Sequence, residues 1–167
     1  MPQPAPEMSR IDQTFERLAS EGRSGFVAYV TAGDPSPSAM MEILCALDRA
    51  GTDVIELGVP FSDPLADGPT IQAASGRALA AGMTVRGVLE LVREFRQTSQ
   101  TPIVLFTYLN PVFAFGFENF IQEASDAGAD GLLVLDMPPE EAAANAGMMW
   151  AGGLDPIRLV APTTPPD

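Results

Sequence analysis

Short apolar runs and amphipathic stretches alternate along the chain, and the alternation predicts strands and helices in turn. At the start, Ser9 precedes a stretch in which Ile11, Phe15 and Leu18 recur at helical spacing, and Gly22 supplies a stop signal for this leading helix. Five strands are predicted after it, over residues 25–33, 53–59, 102–109, 131–137 and 157–162. The helices between them are predicted over residues 38–50, 70–82, 84–97, 117–128 and 138–153.

Two segments of the chain are weakly similar, and the similarity indicates a repeating βα unit. AGTDVIELGVPFSD and AGADGLLVLDMPPEE both pass from a helix-ending Ala-Gly through a two-residue turn into an apolar strand and an acidic loop. Strands that are apolar almost throughout and separated by helices predict a parallel sheet covered by helices, with right-handed crossovers. An open doubly wound sheet and a (β/α) barrel both satisfy this pattern.

The loop after the first strand favours one of these two architectures. VTAGDPSPS stands there in place of G-x-G-x-x-G, the dinucleotide-binding fingerprint of a doubly wound sheet, so the barrel is favoured. A complete TIM (β/α)8 barrel takes about 250 residues, and this chain holds only about four and a half βα units after its leading helix. We therefore expect residues 9–167 to form a partial, truncated TIM barrel and residues 1–8 to be a disordered extension.

Composition narrows the chemistry that the chain can perform. There is no His and all nine basic residues are Arg, which excludes an imidazole base, a histidine-ligated metal and a Schiff-base lysine. A net charge of -13 without a basic cluster argues against nucleic-acid binding. No apolar run approaches the roughly 18 to 20 residues of a membrane span, and no signal peptide is indicated. Cys45 falls on an apolar helical face, which indicates packing and suits a reducing cytoplasm.

Glu56 is the first candidate for acid/base chemistry, because it interrupts the apolar strand DVIELGV. Strand alternation places Glu56 and Gly58 on one face, and Ile55 and Leu57 on the opposite face that should meet the helices. Glu56 is then expected to point into the barrel near its C-terminal mouth, beside a glycine that leaves room for a ligand. Burial would raise its pKa toward a useful range, although a carboxylate satisfied by backbone amides or an Arg remains an alternative.

The loop PFSDPLADGP follows this strand and carries Asp63 and Asp67 among three prolines and a glycine. A loop restrained in this way could hold a carboxylate over the barrel mouth. Both residues could equally be turn formers or caps of the helix that follows. Asp34 and Asp136 also follow strands, but turn formation and helix capping explain them as well as chemistry does.

The end of the third strand, TYLNPVFAFG, adds Tyr108 and Asn110 as residues that could reach the mouth. A loop is predicted after this strand, with an aromatic cluster formed by Phe113, Phe115 and Phe117. Packing beneath the loop is one interpretation of this cluster. A surface for a partner protein is the other, since aromatic residues are enriched at interfaces.

The stretch ELGVPFSDPLADGPTIQ, from Glu56 to Gln72, closely resembles the signature of tryptophan synthase alpha subunits. Further segments similar to that family follow in the expected order: SRID, FVAYVTAGDP, TYLNPVFAFG, ADGLLVLDMPPEE and LVAPTTP. The resemblance extends from Ser9 to Pro165. It implies a TIM barrel that cleaves indole-3-glycerol phosphate to indole and glyceraldehyde 3-phosphate, a lyase step of tryptophan biosynthesis that needs no cofactor or metal.

The resemblance also implies roles for individual residues. Glu56 would transfer protons as general acid/base, Asp67 would contact the indole N–H, and Tyr108 would lie near the substrate. Indole would pass to a beta subunit containing pyridoxal phosphate, in a cytoplasmic alpha2beta2-type complex. The residues that would face this beta subunit are Pro60, Asp63, Asn110, Pro111 and Phe113.

Two departures from the family modify these expectations. The family binds the substrate phosphate through loops after strands seven and eight, whereas this sequence stops at Asp167, so we expect negligible activity from the 167-residue polypeptide alone. The helix AAANAGMMWAGG has an abnormally apolar outer face, so association is expected. Two alternatives stay open: an inactive fragment that keeps only the surface for the beta subunit, and a stand-alone indole-glycerol-phosphate lyase.

Overall fold

The computed structural model describes residues 8–162 and Thr164, so the predicted extension over residues 1–8 lies outside the described part except for Met8. The helices are α1 (Arg10–Glu21), α2 (Met40–Arg49, after a short 3₁₀ turn at Pro37–Ala39), α3 (Pro69–Ala80), α4 (Val85–Arg96), α5 (Leu109–Phe115), α6 (Phe117–Ala127) and α7 (Pro139–Ala151). The strands are β1 (Val27–Thr31), β2 (Val54–Gly58), β3 (Ile103–Thr107), β4 (Gly131–Val134) and β5 (Asp155–Ile157). Within this part, no helix is long and apolar enough to cross a membrane.

The described strands form one five-stranded parallel sheet in the order β1-β2-β3-β4-β5. Each strand therefore pairs with the next one along the chain, and the order does not reverse as it does in a doubly wound sheet. Helices separate the strands, as the parallel connections require. The arrangement is that of part of a TIM barrel, as the sequence predicted.

The two faces of this sheet carry different apolar clusters. Ile55 and Leu57 belong to a large cluster between the sheet and the helices, which includes the fully buried Phe95 and Phe120. The opposite face carries a smaller cluster formed by Val54, Val104 and Leu133 and packed against Ile11 of α1. Glu56 lies on this inner face, as strand alternation predicted.

Aspartates at the start of β2 and β4 tie the N-terminal ends of the strands to α1. Asp53 accepts the Phe26 N–H at 3.0 Å and a hydrogen bond from Arg17 of α1 at 3.1 Å. Asp130 accepts the Ile103 N–H at 2.8 Å and a hydrogen bond from Arg10 of α1 at 2.6 Å. Each carboxylate thus joins α1 to the start of the preceding strand, and we call this arrangement the aspartate clasp.

Two elements differ from the sequence prediction. The segment after Tyr108 was predicted as a loop, but α5 forms there because the Asp136 carboxylate accepts the Leu109 N–H at 2.6 Å and caps the helix. The last strand was predicted over residues 157–162 but lies at Asp155–Ile157, paired with Gly131–Leu133. Since β4 ends at Val134, Leu159 and Val160 have no paired neighbours and are 64% and 81% exposed.

The outer face of α7 is apolar, as its sequence indicated. Trp150 is 64% exposed and Met148 is 38% exposed on this helix. The association predicted from this face stays a prediction.

Candidate active site

Glu56 lies at the centre of β2, where its Cα pairs with Tyr29 of β1 and Val104 of β3. Its side chain is half-buried, and this burial raises the pKa of the carboxyl above its ordinary value. Among the residues that the structure describes, none donates a hydrogen bond to this carboxylate. The alternative of a carboxylate satisfied by amides or an Arg is therefore not what the structure contains, and Glu56 remains available to give or take a proton.

The space beside Glu56 is filled by a residue that sequence reasoning did not single out. The Tyr29 hydroxyl lies against Gly58, and a methyl group at Gly58 would collide with it. The ring packs edge-on against Phe106, with centroids 5.3 Å apart, and its hydroxyl lies 3.3 Å from the Thr31 Oγ1. The sequence predicted that Gly58 leaves room for a ligand; this was wrong, because Tyr29 occupies that room.

Replacing Gly58 with alanine is expected to lower the free energy of unfolding by about 1–3 kcal/mol, the usual cost of overpacking. Adding Tyr29→Phe should recover only part of this loss, because Cζ of the ring would still lie 2.7 Å from the new methyl group. Gly76→Ala is the control, since nothing lies within 4 Å of that position in α3. Urea unfolding of all variants measures the effect, and a Gly58→Ala protein as stable as the parent would contradict it.

Asp67 ends a turn in the loop between β2 and α3, with its N–H donating to the Pro64 carbonyl at 3.1 Å. Its own carbonyl accepts a hydrogen bond from Gln72 Nε2 at 2.9 Å. The cap of α3 is Gly68, without a side-chain hydrogen bond, so the Asp67 carboxylate does not cap this helix. Asp63, in the same loop, is exposed and accepts a hydrogen bond from Ser62.

Tyr108 brings this loop to the end of β3. Its hydroxyl accepts the Ala66 N–H at 3.0 Å, and its side chain is only 5% exposed. Burial raises the pKa of Tyr108, and the negative charge of Asp67 raises it further. Burial likewise raises the pKa of Tyr29, with smaller contributions from the charges of Asp67 and Glu56. Glu56 and Asp67 therefore both lie within electrostatic reach of Tyr29, and Asp67 also lies within reach of Tyr108.

The remaining candidates lie apart from these four groups. Asp34 forms a bidentate ion pair with Arg77, at 2.7 and 2.9 Å, and Asp136 caps α5.

Among the residues predicted to face a partner, Phe113 is 54% exposed and Asn110 is exposed. Pro111 is half-buried and Pro60 is buried. Across the described residues, no group of three or more His, Cys, Asp or Glu side chains is placed to hold a metal ion.

Comparison with known proteins identifies the family. The sequence profile described as tryptophan synthase alpha chain matches residues 15–167. The alpha chain of Dechloromonas aromatica is 58% identical over 158 residues, which cover 94% of this chain and 59% of that relative.

The chain belongs to the tryptophan synthase alpha chain family.

Other members agree in sequence and in structure. The alpha chain of Burkholderia thailandensis is 55% identical over 96% of this chain and 59% of its own length. The alpha subunit structure from Legionella pneumophila str. Paris matches with a TM-score of 0.92 and 45% identity, over 95% of this chain and 61% of that one. A tryptophan synthase structure from M. tuberculosis matches with a TM-score of 0.89 and 36% identity, over 95% and 64%. The chain thus spans about three fifths of the alpha chains that it matches.

A sequence pattern that could have indicated Tyr29 is the alternation of side chains in β1. Alternation in VAYVT places Tyr29 between Val27 and Thr31 on one face, and the parallel register with Glu56 then brings it to the inner face. The register itself, however, is a property of the folded sheet.

The raised pKa of Glu56 predicts a pH dependence of stability. In the folded chain the Glu56 carboxyl holds its proton to higher pH than in the unfolded chain. Its contribution to the free energy of unfolding is therefore fully present below the pKa that this carboxyl has in the unfolded chain. That contribution is lost as the pH rises from about 4.3, the ordinary value, through the folded pKa. The stability of the parent relative to Glu56→Gln should therefore fall over this interval, which urea unfolding at a series of pH values measures. A pH-independent difference would contradict the prediction.

Proposed function

We propose that this chain is the catalytic N-terminal part of an alpha subunit that cleaves indole-3-glycerol phosphate to indole and glyceraldehyde 3-phosphate. The observation that carries this proposal is the half-buried Glu56, with its raised pKa and its unoccupied carboxylate on the inner face. Asp67, held on a restrained loop, supplies the second carboxylate, and both carboxylates lie within electrostatic reach of Tyr29. Two carboxylates in different environments suit two roles in one reaction.

The proposed chemistry begins with a proton passing from the Glu56 carboxyl to indole C3. Asp67 accepts the indole N–H and stabilises the positive charge that then develops on the ring. The bond between C3 and the glycerol carbon breaks, and its electron pair returns to the ring. The hydroxyl on that glycerol carbon loses its proton and becomes the aldehyde, and Glu56 is the base that recovers a proton. This chemistry requires no cofactor or metal, and Tyr108 is proposed to line the substrate site.

The partner is proposed to be a tryptophan synthase beta subunit, which would hold the pyridoxal phosphate and receive the indole. The exposed side chains of Asp63, Asn110 and Phe113 support a contact on this side of the sheet. Pro60 and Pro111 would contribute through the shape of the loop and of α5 rather than through large exposed areas. The cytoplasmic location stays a prediction.

The test uses a full-length form, made by joining residues 1–167 to the C-terminal part of the Dechloromonas aromatica alpha chain that this chain does not cover. A spectrophotometric assay should detect indole formation from indole-3-glycerol phosphate by this full-length form. We expect negligible turnover from the 167-residue polypeptide, because remote binding energy positions the reacting bond. A folded full-length form without turnover, with or without the D. aromatica beta subunit, would overturn the proposal. Binding of that subunit without turnover would favour the alternative of a chain that keeps only the partner surface.

A further inference from the structure

The Tyr108 side chain contacts the loop between β2 and α3 at both of its ends. Near the start of the loop, the Phe61 ring packs on the Tyr108 ring with centroids 5.3 Å apart and an interplanar angle of 39°. Near its end, the Ala66 N–H donates to the Tyr108 hydroxyl at 3.0 Å. Ala66 immediately precedes Asp67, so the buried Tyr108 side chain, between β3 and α5, restrains the peptide next to the second carboxylate.

The position of Tyr108 is itself fixed by its neighbours. The Thr107 hydroxyl donates to the Tyr108 carbonyl at 3.1 Å. The following N–H, of Leu109, donates to the Asp136 carboxylate at 2.6 Å. The phenol therefore extends from backbone that is held at the ends of β3 and β4, which makes it a rigid support for a loop.

The contacts on the far side of the loop involve the backbone of Asp67 and not its carboxylate. Gln72 of α3 donates to the Asp67 carbonyl, and the Asp67 N–H closes the turn with Pro64. These bonds restrain the backbone on both sides of Asp67, while its side chain is only half-buried. These backbone hydrogen bonds thus orient the Asp67 carboxylate without burying it.

We infer that Tyr108 is a positioning residue whose hydroxyl, by accepting the Ala66 N–H, holds Asp67 over the mouth of the barrel. The inference rests on the proposed function and goes beyond it, since it assigns the hydroxyl to the loop and not to the substrate. A phenol accepts and donates at once, so its proton stays free to point toward the Asp67 carboxylate. Removing the hydroxyl then lets the loop open without changing the groups that carry the reaction.

Hydrogen exchange at the Ala66 amide tests the contact directly in the full-length form. Tyr108→Phe keeps the ring on Phe61 but removes the acceptor, so exchange at Ala66 should become about tenfold faster, as expected for a net hydrogen bond of ordinary strength. The Val59 amide, which donates to the Phe106 carbonyl at 2.8 Å, is the internal reference and should not change. Tyr29→Phe is the matched control and should leave Ala66 exchange unchanged. Unchanged exchange at Ala66 in Tyr108→Phe would overturn the inference.

Kinetics separate positioning from a structural role. Tyr108→Phe should lower kcat for indole formation about tenfold with little change in KM, because a misplaced Asp67 loses an interaction made in the transition state. A rise in KM at constant kcat would contradict the inference and assign the hydroxyl to substrate binding. If Tyr108→Phe fails to fold, 3,5-difluorotyrosine at this position keeps the shape and, at a pH where its phenol is neutral, has a poorer acceptor oxygen, so an intermediate exchange rate is expected there. Absence of turnover in the parent would defeat the proposed function alone, because the exchange measurement needs no activity.

Discussion

Replacing Glu56 with glutamine in the full-length form is expected to lower kcat for indole formation by about 10²- to 10⁴-fold, the usual contribution of a positioned acid/base. Glutamine has nearly the same shape but cannot deliver a proton to indole C3. KM should change little, because the half-buried carboxylate makes no hydrogen bond within the described residues whose loss would disturb the site. The loss should therefore appear in the transition state and not in substrate binding.

The control for this substitution is Glu90→Gln. Glu90 is exposed on α4, so the same change in chemistry is made on the outer surface. Steady-state indole formation and far-UV circular dichroism of both variants separate a chemical loss from a folding loss. A folded Glu56→Gln protein that retains more than about a tenth of the parent kcat would show that another group transfers the proton.

Asp130→Ala in the full-length form is expected to lower the free energy of unfolding by about 3–5 kcal/mol, because it leaves a buried cation without its partner. The Asp130 carboxylate accepts from Arg96 at 3.0 Å as well as from Arg10 and the Ile103 N–H. The Arg96 side chain is only 12% exposed, so water cannot replace the lost carboxylate fully. Burial nevertheless raises the pKa of Asp130 despite both arginines, which indicates that desolvation outweighs the attraction of the pairs.

A second substitution, at Arg96, tests whether the cost of Asp130→Ala arises from the buried guanidinium. If the cost comes from the guanidinium left without a counter-charge, adding Arg96→Met should recover only part of the lost stability, because methionine needs no counter-charge but gives up the Arg96 hydrogen bonds to the carbonyls of Gly128, Ser99 and Thr101. Asp126→Ala is the control, because that carboxylate is exposed on α6 and accepts only from Gln122 within the described residues. Its effect should stay within about 0.5 kcal/mol. Urea unfolding gives all four values, and an Asp130→Ala loss as small as that of the control would contradict the prediction.

The sequence predicted the parts of the site that depend on local pattern. Period-two alternation in DVIELGV was enough to place Glu56 on the inner face, because the apolar set Ile55 and Leu57 had to meet the helices. The order of strands and helices was likewise predicted from periodicity. Local pattern did not decide the role of Asp67, because a Pro-rich loop explains an aspartate as a turn former as well as it does a catalytic residue, and only the family resemblance favours chemistry.

What the sequence could not supply depends on contacts between distant segments. Tyr29 fills the space beside Gly58 because β1 pairs with β2. The hydrogen bond from the Ala66 N–H to the Tyr108 hydroxyl likewise joins the loop after β2 to the residue that follows β3. A loop was predicted at α5, since the residue that caps this helix, Asp136, follows β4 and is 27 residues away in sequence from Leu109. The strand β5 begins and ends earlier in the sequence than predicted, because its bounds follow its pairing with β4 and not the run of apolar residues after Ile157.

The aspartate clasp corresponds to the weak similarity between the segments AGTDVIELGVPFSD and AGADGLLVLDMPPEE. The two similar segments place Asp53 before β2 and Asp130 before β4, and each carboxylate takes the N–H of a residue at the start of the preceding strand, Phe26 and Ile103. Each carboxylate thus fastens two neighbouring strands to each other and to α1. Asp53 and Asp130 precede their strands whereas Asp67 and Tyr108 follow theirs, so the chain anchors its sheet at the end opposite to the one that carries the Asp67 loop.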